Sequence, residues 1–228
     1  ATVRALKSHG GVAKADLGEE NLNALEKGLP NLYKHIENIK NVYKLPSVVA
    51  INRFPTDTED ELKLVEEKCK EYGVDVSLCE VWGKGSDGGL DLAEKVLDLV
   101  KQDNDFTYAY SDDLSLEEKI NAVATKIYGA DGAEFTPAAK KELAKLTELG
   151  FSSYPVCMAK TQYSLSDNQK LLGRPKGFKI TVKKVKVSAG AGFVVCQTGD
   201  IMTMPGLPKV PSAEKIDVDE NGVITGLF

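Results

Sequence analysis

The chain is poor in several residues and patterns that sort proteins into classes. Its 228 residues include one tryptophan, three methionines and two histidines. The four cysteines (Cys69, Cys79, Cys157 and Cys196) never form a CxxC pair. Cysteines this few and this scattered make neither a disulfide framework nor a zinc site, and they are expected as reduced, mostly buried thiols of a cytoplasmic protein. There is no excess of positive charge: 29 Lys+Arg stand against 34 Asp+Glu, for a net charge of −5. That balance leaves no electrostatic footprint for nucleic acid or for an anionic membrane surface. No apolar run approaches the ~18 residues that span a bilayer, the longest (48–51 and 193–196) being strand-sized. The N-terminus lacks a secretory signal pattern. It also lacks a start methionine, and VRALKSHGG reads as the continuation of an element. The expectation is a piece of a longer protein; a processed N-terminus is the alternative. No GxxxxGK[ST] string, no Ser/His/Asp or Cys/His set and no metal-ligand spacing is found, so no catalytic or metal residue is expected in this chain.

What is present is ordinary for a globular protein, with 42% hydrophobic and 28% charged residues. The length allows one large domain or two small ones, with enough chain to bury a core. Over 21–44, apolar residues recur every three or four positions, which predicts an amphipathic helix broken or kinked at Pro30. A buried strand follows at 47–51, then a charged helix over 58–72 closed by Gly73, a second strand over 74–81, and a helix over 90–101. Helix and strand alternate here, so the fold class is α/β: a parallel sheet with flanking helices. Helices are expected over 115–128, opened by a Ser115/Glu118 capping box, and over 136–149, with Pro137 in its first turn. Strands are expected over 155–159, 178–187 and 192–197, and a turn at 219–222 between two short strands. These elements form a smaller C-terminal α/β domain, dividing the chain at 1–105 and 106–228.

In parallel sheets ligands bind beyond the carboxyl ends of the strands. Two segments fall there, 52–58 and 82–89. Phe54-Pro55 and Trp82 hold equivalent places after the two strands. Together they make either a flat slot for a planar heterocycle, open to stacking, or core aromatics under a loop. Lys84-Gly85-Ser86 begins a glycine-rich stretch that reads either as a plain helix start or as an anion nest. Asn52, at a strand tip, has an amide suited to the polar edge of a ring. Asp57 or Thr58 caps the following helix, and Thr58 with Glu61 fits a capping box. A fourth cluster (Lys160, Gln162, Tyr163, Ser164, Asp167 and Arg174) is either a polar recognition loop with a carboxylate clamp or a solvated connection. A fifth, over 202–208, reads as a rigid proline turn. His9 and His35 stand alone.

The strings TVRALKSHGGV, VVAINRFPTDTEDEL, EVWGKGSDGGLDLAEKV, IYGADGAEFTPAAKKEL, YPVCMAKTQYSLSDNQKLLGRPKGF and AGFVVCQTGDIMTMPGLPKVPSAEKIDVDENGVITGLF closely resemble the formate–tetrahydrofolate ligases. The resemblance runs the length of the chain. It implies a reaction in which ATP, formate and tetrahydrofolate yield ADP, phosphate and 10-formyltetrahydrofolate by way of formyl phosphate. It implies that this chain is the C-terminal portion of such an enzyme, with residues 1–105 part of a P-loop-NTPase-like α/β domain, and that the complete enzyme is a homo-oligomer. The family's phosphate loop and its formyl-phosphate arginine lie upstream of every matched string, so the chain is expected to need that missing part for turnover. By resemblance, Phe54 and Trp82 sandwich the pterin, and Pro55 and Leu78 line the same pocket. Asn52 is then expected at the adenine of the nucleotide, and Lys84, Gly85 and Ser86 near the nucleotide or the folate tail. ATP with its Mg2+ is a substrate beside tetrahydrofolate and formate; a monovalent cation is compatible, and no tightly bound cofactor is expected. The rival expectation is a non-catalytic folate- or nucleotide-binding or assembly module.

Overall fold

The computed structural model describes residues 1–159, 163–199 and 209–226. Its helices are α1 (Val3–His9), α2 (Leu22–Glu37), α3 (Glu59–Glu71), α4 (Val81–Lys84), α5 (Leu90–Val100), α6 (Leu116–Ala122) and α7 (Pro137–Glu148). Its strands are β1 (Val48–Asn52), β2 (Asp75–Cys79), β3 (Ala133–Phe135), β4 (Val156–Ala159), β5 (Ile180–Ser188), β6 (Phe193–Thr198), β7 (Asp217–Val218) and β8 (Ile224–Thr225).

The α/β class holds, with parallel pairs in two separate sheets. β1 and β2 are parallel, with Val48 opposite Asp75 and Asn52 opposite Cys79. Ala1 extends this ladder on the other side of β1: its amino group donates to the Ala50 carbonyl, and its own carbonyl accepts from the Asn52 N–H at 2.8 Å. The second sheet runs β3-β5-β6-β4 and is mixed, with β5 antiparallel to β6. The strand expected at 155–159 belongs to this sheet, where β6 pairs with it in parallel. The 219–222 turn joins β7 to β8 as expected.

The side chains explain the layering. On β1, Val49 and Ile51 are buried and Val48 and Ala50 are not, the period-two pattern of a sheet covered well on one face. Val49, Ile51 and Val76 pack against Val3, Leu6, Leu25, Leu29, Leu62 and Val65 from α1, α2 and α3. A second core joins Leu116 and Ile120 of α6 and Leu143 and Leu146 of α7 to Val182, Val185, Val194 and Cys196. The break expected at Pro30 does not occur. α2 runs through it, because Leu25 and Leu29 before it and Ile36 after it are all buried in one core. That burial outweighs the hydrogen bond a helical proline forfeits. The helix then widens into a π turn over Asn38–Val42. The 115–128 helix likewise ends in a π turn, over Val123–Ile127. The strand expected to reach Val81 stops at Cys79, and Val81 opens α4 instead.

α1 and α2 cross at two glycines. A Cβ built on Gly10 would lie 1.8 Å from the Ala24 carbonyl oxygen, and one on Gly28 would lie 1.9 Å from that of Leu6.

Candidate functional site

The site is built where β1 and β2 end. The chain leaves β1 at Asn52, and the Arg53 N–H donates across to the Cys79 carbonyl at 3.1 Å. A tight turn follows. The Phe54 N–H donates to Asp57 Oδ2 at 2.8 Å, and the Asp57 N–H returns to the Phe54 carbonyl at 3.0 Å. Thr58 then caps α3 in a full capping box with Glu61. Of the two residues proposed as caps, Thr58 is the cap, and Asp57 holds the Phe54 turn.

The second loop is wound more tightly than an open anion nest. Residues 81–84 form α4 and Gly85–Gly89 a 3-10 segment. Gly85 sits at φ 62, a backbone angle that disfavours any side chain. A Cβ on Gly88 would lie 2.5 Å from the Glu80 carbonyl, and the Glu80 N–H donates to the Gly88 carbonyl at 2.9 Å. At least two of these glycines therefore serve the winding itself.

The two loops are stitched together by Trp82, whose Nε1–H donates to the Arg53 carbonyl at 2.8 Å. Between them lies a cleft of about 260 Å3 lined by Arg53, Phe54, Pro55, Glu80, Trp82, Gly83 and Lys84. Trp82 is 66% exposed and Phe54 half-buried, so neither ring belongs to the hydrophobic core. A tryptophan this exposed yet fixed by its indole N–H presents a large apolar face at little cost in ordering.

The rim carries charge of both signs. Lys84 pairs with Glu80, and Arg53 bridges Glu59 and, at 3.6 Å, Glu80. The hydrogen bond from Lys84 holds the Glu80 carboxyl below its ordinary range, with the charges of Lys84 and Arg53 acting the same way. Exposed pairs of this kind are weakly held, so both cations can turn to an anionic group entering the cleft.

The remaining expected residues fall nearby but outside this cleft. Leu78 lines a neighbouring one with Ile51, Leu62, Val76, Asp91 and Lys95. Asn52 is exposed at the strand tip, and Ser86 is exposed on the wound loop. Sequence reading singled out no role for Glu80. Its place four residues before Lys84 was the available signal.

Arg174 is indeed a carboxylate clamp, but its carboxylate comes from this chain. Its two terminal nitrogens donate to Glu37 on α2 at 2.7 and 2.6 Å. Around it the segment docks on α1 and α2: the Gly173 N–H donates to His9 Nδ1 at 3.0 Å, and Asn31 Nδ2 donates to the Gly173 carbonyl at 2.8 Å. Ser164 meets Asn31 and His35, and Asp167 accepts from the Thr181 N–H. Tyr163 lines a cleft beside Asp167 and Lys179. Lys160, Gln162 and the 202–208 turn lie outside the described residues.

This docking sets an acid response. The hydrogen bond from Arg174 is the main reason the Glu37 carboxyl lies below its ordinary range, with Tyr72 and Lys34 adding to the effect and burial opposing it. A lowered carboxyl contributes stability above its unfolded pKa and loses it as pH falls through the lowered value. Urea midpoints measured from pH 7 down to about pH 3 are expected to drop more steeply in the wild type than in Arg174→Met. The neutral-pH difference is about 1 kcal/mol, solvent screening included. Parallel pH profiles would show that the clamp contributes nothing.

Among the described residues, no helix is long and apolar enough to cross a membrane. A family model described as Formate--tetrahydrofolate ligase matches residues 1–228.

Proposed function

The chain belongs to the formate–tetrahydrofolate ligase family, and from that premise we propose that its strand-tip cleft is the pterin slot of the ligase. The observation that carries this reading is the placement of Phe54 and Trp82 on opposite strand-tip loops, both lining one open cleft. A bicyclic pterin has two flat faces, and a slot with an aromatic wall can stack on it while Pro55 closes an edge. Leu78, in the adjoining cleft, extends the apolar surface toward the sheet. Arg53 and Lys84 stand at the rim, where a carboxylate tail would replace Glu59 or Glu80 as their partner.

The nucleotide is assigned to the same end of the sheet, near Asn52, Lys84, Gly85 and Ser86, with ATP carrying its Mg2+ as substrate. The 228 residues contain no GxxxxGK[ST] string, so the chemistry of phosphoryl transfer to formate, by way of formyl phosphate, is assigned to groups outside this chain. The chain contributes binding and orientation: it stacks the acceptor and keeps one wall of the site dry. We place the division between the two packing units near residue 105, and the working enzyme in the cytoplasm.

Titration with tetrahydrofolate tests the slot directly, because Trp82 is the sole tryptophan and reports on its own ring. Saturable quenching of its fluorescence is expected, confirmed by calorimetry. No quenching at millimolar ligand overturns the reading. Trp82→Ala is expected to weaken binding measured by calorimetry by about 1–3 kcal/mol, the worth of one stacked ring. With ATP and formate added, this chain alone is expected to form no 10-formyltetrahydrofolate. Because the phosphate-loop string is absent, a second reading, a folate-binding module without catalysis, predicts the same binding. It is separated from the first by adding the phosphate-loop part of the ligase, which restores turnover only under the first.

A further inference from the structure

Arg4 lies on α1, outside the segments that carry the slot. Its guanidinium carbon is 5.6 Å from the centroid of the Phe54 ring, within the range of a cation–π contact. The cleft between Phe54 and Trp82 is lined by seven residues, and Arg4 is not one of them. The cation therefore stands over the Phe54 ring without itself lining the cleft.

The arrangement is held from several sides. Arg4 sits three residues before Lys7, which is buried in an ion pair with Glu61. Asp57 is 5% exposed and fixes the backbone of Phe54 through the Phe54 N–H. Its other oxygen, Oδ1, is buried without a hydrogen-bond partner among the described residues. The charged groups facing it are Glu61, Lys7 and Arg4. Burial pushes its carboxyl above the ordinary range, the Phe54 N–H pulls it back, Glu61 adds to the rise, and the two cations oppose it. An incompletely satisfied buried acid is a costly feature that calls for an explanation. Here it anchors the turn that carries Phe54, with Arg4 among the charges facing it.

We propose that Arg4 is a specificity-determining residue of the slot, selecting a reduced, electron-rich pterin over an oxidised one through the ring of Phe54. This rests on the folate reading above. An aromatic face carries negative potential. A cation over one face draws that density toward itself and leaves the rest of the ring less negative. An electron-rich ring is then repelled less when it stacks there. In tetrahydrofolate the N5 and N8 lone pairs feed the pyrimidinone, making it electron-rich. In oxidised folate the aromatic pyrazine withdraws density and gains little from the same wall. Both ligands carry the same tail, so attraction of the tail to Arg4 or the rim cations cancels in the ratio of their affinities.

The test is that ratio, measured by calorimetry on the chain with tetrahydrofolate and with folate, at pH 7 under anaerobic conditions. The wild type is expected to favour tetrahydrofolate. Arg4→Met, similar in length and uncharged, is expected to shrink the preference about twofold, a fraction of one cation–π contact. Arg4→Lys, which keeps the charge, is expected to restore most of it. A general loss of folding would lower both affinities by one factor and leave the ratio unchanged. An unchanged ratio in Arg4→Met overturns the proposal while the slot stands. If Phe54→Ala and Trp82→Ala both bind tetrahydrofolate as the wild type does, the slot reading itself fails, and the role of Arg4 with it.

Discussion

Glu61→Ala is expected to destabilise the fold by about 3–5 kcal/mol, as read from the urea midpoint. Glu61 and Lys7 are both fully buried and lie 2.8 Å apart. Each has further partners. Lys7 Nζ donates to the Glu19 carbonyl at 2.7 Å, and Glu61 accepts from the Asn21 and Thr58 N–H groups. Taking away the carboxylate strands an ammonium in the core and leaves two backbone donors unsatisfied, and the low local dielectric makes that costly. The pair itself is not expected to be worth so much. Lys7→Met combined with Glu61→Leu should recover most of the loss, because burying two charges costs about what their attraction returns. A loss below about 1 kcal/mol in Glu61→Ala would mean that water reaches Lys7. The pair also bears on the site. Glu61 completes the cap of Thr58, and Thr58 ends the turn that carries Phe54, so folate affinity is expected to fall with stability.

Gly28→Ala is the second large effect. The new methyl carbon would lie 1.9 Å from the Leu6 carbonyl oxygen and 2.7 Å from its carbon. These are backbone atoms, with no rotamer to relieve the overlap. α1 and α2 must separate, and Leu6 loses its packing against Leu25 and Leu29. A loss of about 3 kcal/mol is expected, at the upper end for an overpacked core. Gly18→Ala is the control. Its Cβ would meet only a Thr56 methyl at 3.9 Å, and its midpoint should stay within about 0.5 kcal/mol of the wild type. A near-neutral Gly28→Ala would show that the helix crossing is far looser than the backbone distances imply.

Local chemistry decides the helix starts, which is why they could be read along the chain. Thr58 with Glu61 and Ser115 with Glu118 form the capping boxes that their spacing implies, and Pro137 opens α7 in its first turn as expected. A capping bond spans three residues, so nothing distant can override it easily. The paired strand tips follow from the alternation of helix and strand. The break expected at Pro30 fails for the opposite reason, since its local penalty is outweighed by a core that only the assembled fold supplies.

The polar loop around Ser164 and Arg174 could not be resolved by composition. Its partners His9, Asn31, His35 and Glu37 lie more than a hundred residues away in sequence, and an arginine suited to a ligand carboxylate is equally suited to the protein's own. Arg4 was likewise silent, because a cation over a ring leaves no spacing signature.

From its residues alone, then, this chain determines its α/β class, its capped helices, the two strand-tip loops that carry Phe54 and Trp82, and its resemblance to the ligase family. Those features depend on short-range periodicity, on neighbours a few positions apart or on the matched strings themselves. Tertiary structure alone decided that the two rings line one open cleft, that Arg174 is held by Glu37 of the same chain, and that Arg4 stands over the ring of Phe54. Each of these depends on which distant segments close packing brings within a few ångströms of one another.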